Sequence, residues 1–213
     1  MLKFGLACEG VTDQAVIENI LCGFYNDKEL RQEIKSFQTL FDATQKKQLD
    51  GEFGGWEELF SFIATKRFRQ DVINNHYMII QVDTDCSEHK NFGISQHNCS
   101  IKELVERVRE RLILQINSKK PFYEVYKHKI IFAISVHSLE CWLLPICKDL
   151  KAEKITGCFE SLQRECKDIK VEKNYTTYDK LSRVFLKNKD LLKISSKNSS
   201  FDIFIKSLPK TIS

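Results

Sequence analysis

The chain has 213 residues, 42% hydrophobic and 29% charged, with a net charge of +4, three prolines and eight glycines. That composition is ordinary for a soluble folded protein and leaves little room for linkers or disorder, and no apolar run approaches the roughly 20 residues that a membrane-spanning helix needs. The opening MLKFGLACEG holds no apolar run of signal-peptide length, so a cytoplasmic protein is expected, with one substantial domain or one domain plus an appended part.

In chain order, LKFGLA (2–7) predicts a strand that breaks at CEGVTD. Val16, Ile17, Ile20, Leu21 and Phe24 then recur at helical spacing, which predicts a helix over 13–25 with Thr12 or Asp13 as its cap. EIKSFQTL (33–40) predicts a weaker strand, and DGEFGG (50–55) a glycine-rich loop. WEELFSFIATKRF (56–68) has the pattern of one amphipathic helix, and YMIIQVD (77–83) that of a buried strand. After a polar loop to Cys99, Ser100 caps the next helix and Glu103 completes a capping box. IIFAISV (130–136) predicts another buried strand, followed by a helix from about Ser138. Beyond residue 150 the pattern is lysine-rich and helical, clearest in LSRVFLKNKDLL (181–192) and FDIFIKSL (201–208). Strand and helix alternate through 1–150, so the expected class is α/β: a parallel sheet covered by helices, with a basic, mainly helical extension at 151–213.

Charge is unevenly spread. Residues 1–150 hold 19 Lys and Arg against 21 Asp and Glu, whereas residues 151–213 hold 14 against 8. The basic C-terminal part points either to a polyanionic partner or to solvated helix faces. Lys66, Arg67 and Arg69, and likewise Lys90, Lys187 and Lys189, are the candidates for gripping a phosphate backbone.

The acids converge more specifically. In an open parallel sheet, ligands bind beyond the carboxyl ends of the strands. Glu9 and Asp13 follow the first strand, Asp83 and Asp85 end the middle one, and Glu140 follows the last. Five like charges on one rim repel unless cations compensate them, and Mg²⁺ or Mn²⁺ suits oxygen ligands. Gly10 lets the chain turn tightly, and the helix start at Thr12 and Asp13 offers free N–H groups to a phosphate. His89 and His137 are further candidates beside the acids.

Eight cysteines in a reducing compartment argue against a disulfide framework. Cys8, Cys22, Cys141, Cys147, Cys158 and Cys166 sit in apolar or helical patterns and are expected in the core. Cys86, His89, His97 and Cys99 share one polar loop, but H-x-C is a poor spacing for structural zinc, so a solvated loop beside the acids is expected.

CEGVTD followed by VDTD resembles the Toprim fold shared by topoisomerases, DnaG-type primases and OLD-type nucleases, which places a glutamate after its first strand and D-x-D after a later one. SVHSLECWLL is similar to the S-x-x-x-x-E-x-W-L-L signature of stand-alone RloB-like Toprim proteins, with Ser135, Glu140, Trp142, Leu143 and Leu144 in register. The likeness covers roughly the first 145 residues. It implies a metal-dependent nuclease acting on DNA or RNA, with Glu9 as ligand or acid–base beside Asp13, Asp83 and Asp85 holding Mg²⁺, and Glu140 completing the site. It also implies an antiviral defence role beside an ABC- or AAA-type ATPase partner, with a homo-oligomer as one possible state. The alternative is a catalytically silent Toprim module that docks on such an ATPase. Two departures stand out: Gln81 is polar for a central strand, and no lysine closely follows the D-x-D. Lys90 is the nearest.

Overall fold

The computed structural model describes residues 2–37, 55–150 and 153–210. Strands β1 (Phe4–Ala7), β3 (Tyr77–Asp83) and β4 (Ile130–Ser135) are apolar and buried along most of their length, as parallel strands covered on both faces must be. With the short β2 (Ile34–Ser36) they form an all-parallel sheet in the order β2–β1–β3–β4. Ala7 lies beside Ile80, and Asp83 beside Ser135, so the carboxyl ends of β1, β3 and β4 share one edge.

Helices α1 (Val11–Phe24), α2 (Gly55–Ile63), α3 (Lys66–Asn74), α4 (Ile101–Asn117), the single turn α5 (Tyr123–Tyr126) and α6 (Glu140–Cys147) connect and cover the strands. Four more follow: α7 (Cys158–Glu165), α8 (Tyr175–Ser182), α9 (Asn188–Ser195) and α10 (Ser199–Ser207). On one sheet face Leu6, Ile79 and Ile131 pack with Ile17 and Ile20 of α1, Trp142 of α6, and Tyr178, Phe185 and Phe201 from the last helices. On the other, Met78, Ile80 and Val82 pack with Trp56, Phe60, Phe68, Val108 and Leu112 of α2–α4. The C-terminal helices thus share a core with β1 and α1. A Cβ on Gly23 of α1 would lie 1.7 Å from the carbonyl oxygen of Phe185, so that packing requires a residue without one.

Local departures from the expected elements have local causes. The pattern over 56–68 is two helices: the Thr65 hydroxyl donates to the Phe62 carbonyl at 2.7 Å and accepts the Phe68 N–H at 3.1 Å, ending one helix and capping the next. The first helix begins at Val11 with Gly10 at its N-cap, which puts Thr12 and Asp13 in the first turn rather than at the cap. The Ser100–Glu103 capping box forms as expected. Residues 181–192 are interrupted by a 3-10 turn, Arg183–Leu186, and by Lys187. Of the expected strand at 33–40, Ile34–Ser36 is a strand and 38–40 lie outside the described residues, as does most of the loop at 50–55.

Cys8, Cys22, Cys141, Cys158 and Cys166 are buried as expected and Cys147 is half-buried, but the expectation of no disulfides is overturned. Cys141 is bonded to Cys158, and Cys147 to Cys166, each pair with Cα atoms 5.1 Å apart, inside the range that a disulfide spans. Helices α6 and α7 lie side by side and present these residues along one seam. Cys8 and Cys22 are buried free thiols; Cys86 is free and exposed, and Cys99 free and half-buried. No helix among the described residues is long and apolar enough to cross a membrane.

Candidate functional site

The sheet's carboxyl edge is tied together by side chains that look out of place in a sequence. Gln81, fully buried in β3, accepts the Glu9 N–H at 3.1 Å and donates to Asp83 Oδ1 at 2.9 Å. Glu9 Oε2 in turn accepts the Asp83 N–H at 2.7 Å. A polar residue in a central strand is therefore explained: it locks the end of β1 to the first acid of the D-x-D. Gly55 lets α2 approach the same place, since a Cβ there would meet the Glu9 carbonyl oxygen at 2.5 Å.

Beyond the strand ends, Thr84 N–H donates to the carbonyls of Ser135 and His137, both at 3.0 Å, and Asp85 N–H to that of His137 at 2.9 Å. The Thr84 hydroxyl accepts the His137 N–H at 2.7 Å, and His137 takes a left-handed φ of 64° to make the turn. The strand stops at Asp83, so the two acids of D-x-D do not share one face by alternation. Asp83 is half-buried, whereas Asp85 is exposed.

Asp13 and Glu140 arrive from the first turns of α1 and α6, and both are buried. Tyr178 of α8 donates its hydroxyl to Glu140 Oε1 at 2.5 Å, and Lys173 Nζ stands 3.9 Å from the same oxygen. Lys173 also lies 4.7 Å from the centroid of the Phe159 ring. These two C-terminal residues escaped sequence reasoning, because nothing local marks a contact across 38 positions.

The acids feel one another. Burial pushes Glu9 up to about 8 against the hydrogen bond from Asp83, with Asp13 and Asp85 adding repulsion. Burial and then the Glu140 charge push Asp13 up to about 7. Asp83 stands well above the ordinary carboxylate range, first through burial and then through Asp13, Glu9, Glu140 and Asp85. All five sequence-chosen acids, Glu9, Asp13, Asp83, Asp85 and Glu140, thus belong to one electrostatic cluster. Burial, and then the charges of Asp13, Glu18, Glu9 and Asp83, raise the Cys8 thiol.

The donor set is all oxygen, hard and anionic, and in chemistry it fits Mg²⁺ or Mn²⁺. Among the described residues no three His, Cys, Asp or Glu side chains are closed around one point as a metal ion would hold them. The cluster is gathered by the fold but is not drawn in to coordination distance.

The basic candidates are placed elsewhere. Arg69 donates to the carbonyls of Ile116 and Lys120 at 3.4 Å, at the foot of α4, and lies over Phe122. Lys129, just before β4, donates to the carbonyls of Val72 and Ile73, so α3 ends at the opposite edge of the sheet. Lys66 and Arg67 are exposed in the first turn of α3, and Arg67 pairs with Asp71 at 4.0 Å. Lys187 and Lys189 flank Asn188, which bonds the carbonyls of Gly23 and Phe24. That is the far end of α1, about 15 Å along the helix axis from Asp13 at 1.5 Å per residue. Lys90 is exposed in the loop after β3. In that loop His89 lies against Trp56, with ring centroids 5.4 Å apart, His97 faces Glu88 at 3.6 Å and Cys99 donates to the Gln96 carbonyl.

No known protein family, curated protein or solved structure matches this chain.

Proposed function

We propose that the chain is a Mg²⁺- or Mn²⁺-dependent nuclease that cleaves phosphodiester bonds in DNA or RNA. One observation carries the reading: five carboxylates from three segments meet at the carboxyl edge of a parallel sheet, three of them held above the ordinary carboxylate range. Packing asks for no such gathering, and its electrostatic cost is what a bound cation offsets. When bound, a divalent ion supplies an activated water and neutralises charge on the oxygens of the scissile phosphate. The chain's own groups do the rest. Asp83, Asp85 and Glu9 are the ligands proposed for the ion, and Gln81 orients Asp83 and the end of β1. Glu140 is aimed by the Tyr178 hydroxyl. Asp13, poised at about 7, is the group best matched to hold or release a proton near neutral pH. Lys173, beside Glu140, is proposed to meet a phosphate bound there.

The resemblance to stand-alone Toprim proteins extends the proposal to an antiviral effector working with an ABC- or AAA-type ATPase. A second reading, a Toprim-type module that docks on such an ATPase without cutting, is favoured by the absence, among the described residues, of any three such side chains closed around one point. The test is direct. Purified chain with Mg²⁺ or Mn²⁺ is offered single-stranded DNA, duplex DNA and tRNA, with and without an ATPase partner. Metal-dependent cleavage that is lost in Asp83→Asn and in Asp85→Asn supports the nuclease. Cleavage that persists in both variants excludes it.

A further inference from the structure

Ser135, the last residue of β4, is wholly buried, and its hydroxyl has no hydrogen-bond partner in the protein. Several other buried serines are served. The Ser182 hydroxyl donates to the Tyr178 carbonyl, the Ser195 hydroxyl donates to the Leu192 carbonyl, and the Ser200 oxygen accepts from Trp142 Nε1. A buried hydroxyl normally finds a partner, because desolvating it without one is unfavourable. Ser135 does not.

Its position says where it points. Ser135 is the register partner of Asp83 across the parallel β3–β4 pair, so both side chains leave the sheet on the same face. Gln81, two residues before Asp83, shares that face and bonds Asp83 Oδ1. The same face is covered by α1 and α6, whose first turns carry Asp13 and Glu140, and both of these act on Asp83 electrostatically. The unpaired hydroxyl therefore lies on the sheet face, and at the strand end, that carry Gln81 and Asp83.

We propose that Ser135 is a further ligand-binding residue of this site, its hydroxyl oxygen serving the divalent cation beside Asp83. The inference rests on the metal-dependent reading above and adds a neutral donor to an otherwise anionic set. A neutral oxygen among carboxylates binds a hard cation without adding to the repulsion that already lifts Asp13 and Asp83. It also gives the serine a role distinct from that of Gln81 and Tyr178, which orient the acids.

The experiment compares the wild type with Ser135→Ala and Ser135→Cys. Mn²⁺ and Cd²⁺ are titrated by calorimetry, with Mn²⁺ also followed by electron paramagnetic resonance, and urea unfolding is measured without metal. Ser135→Ala should weaken Mn²⁺ binding about tenfold or more, the scale on which supporting groups at metal sites act. Its metal-free unfolding midpoint should hold or rise, because no hydrogen bond is lost. Ser135→Cys should raise the ratio of Cd²⁺ to Mn²⁺ affinity by about tenfold or more, since a thiolate selects the softer ion. A role in packing alone would leave that ratio untouched. Mn²⁺ affinity in Ser135→Ala within about twofold of wild type, together with an unchanged ratio in Ser135→Cys, overturns the assignment. Wild-type protein that binds neither ion overturns the metal reading itself, and this failure is visible before any variant is made.

Discussion

Raising the pH from 5 to 8 should make the metal-free chain easier to unfold. Folding holds Glu9 at about 8 against an ordinary 4.5, Asp13 at about 7 against 3.8, and Asp83 well above 3.8. Unfolding releases all three into water, where they ionise at their ordinary values. Across this window the native state holds more protons than the unfolded one, so stability falls as pH rises. The sign follows from the direction: the contribution is fully present below about pH 4, where both states are protonated, and is lost as pH climbs through 7 to 8. Each excess proton is worth about 1.4 kcal/mol per pH unit. The three acids share their repulsion, so one to two excess protons are a sound allowance, giving a fall of about 1.4 to 3 kcal/mol per pH unit. Over two units that is a large part of the roughly 5 to 15 kcal/mol of a typical domain. Asp179, held low by Arg183 and Arg31 despite its burial, has the opposite sign but acts only as pH falls toward its own range, below this window. The assay is urea denaturation in a chelator at constant ionic strength, followed by fluorescence of the buried Trp56 and Trp142. Asp83→Asn should remove close to one proton from the slope, and saturating Mg²⁺ should flatten the wild-type slope. Stability that is level or rises between pH 5 and 7, or a slope unchanged in Asp83→Asn, would refute the reasoning.

Other consequences can be checked separately. Glu140→Gln should abolish metal-dependent cleavage while leaving far-ultraviolet circular dichroism unchanged; activity close to wild type would remove Glu140 from the site. Tyr178→Phe deletes one buried hydrogen bond to a charged group and should destabilise the fold by about 1.5 to 3 kcal/mol, measured by urea unfolding. A change under half that size would mean that the contact is not made in solution. The disulfides close loops of 17 and 19 residues, and the chain-entropy relation gives each about 3 kcal/mol. Peptide mapping without reductant should therefore recover both cross-links, and dithiothreitol should lower Tm. Eight alkylatable thiols in the untreated protein would contradict the pairing. Charge reversal at Lys187 and Lys189 should leave kcat unchanged, because these residues sit at the end of α1 remote from the acids; a large fall in kcat would place substrate where the site is not.

What a reader of the sequence could recover was whatever local pattern encodes. Buried runs mark β3 and β4, Ser100 and Glu103 mark a helix start, and acids after strands mark Glu9, Asp83 and Glu140. Thr65 was missed because the apolar spacing of 56–68 runs straight across it; the break comes from a hydroxyl that competes with the helix for its backbone partners. Gln81 looked like a defect in a strand because its purpose depends on Glu9, a residue 72 positions away. Lys173 and Tyr178 were hidden for the same reason, since the approach of α8 to α6 has no signature in either segment. The basic residues show the converse limit. Charge was visible, but which side of the sheet carries it depends on how α1, α3 and α4 are laid, and Arg69 turned out to serve backbone carbonyls.

The embrace of α1 by the last helices has a consequence for synthesis. Asn19 donates to the Asp179 carbonyl across 160 residues, and Gly23 lies hard against Phe185. Helix α1 therefore leaves the ribosome some 160 residues ahead of the segment it packs against. At about 5 to 20 residues per second, the apolar face of α1 waits on the order of ten to thirty seconds. The sheet strands that could shelter it are themselves incomplete until β4 has emerged. A nascent chain in that state offers Ile17, Ile20 and Leu21 to any chaperone, or to any other unfinished chain, within reach.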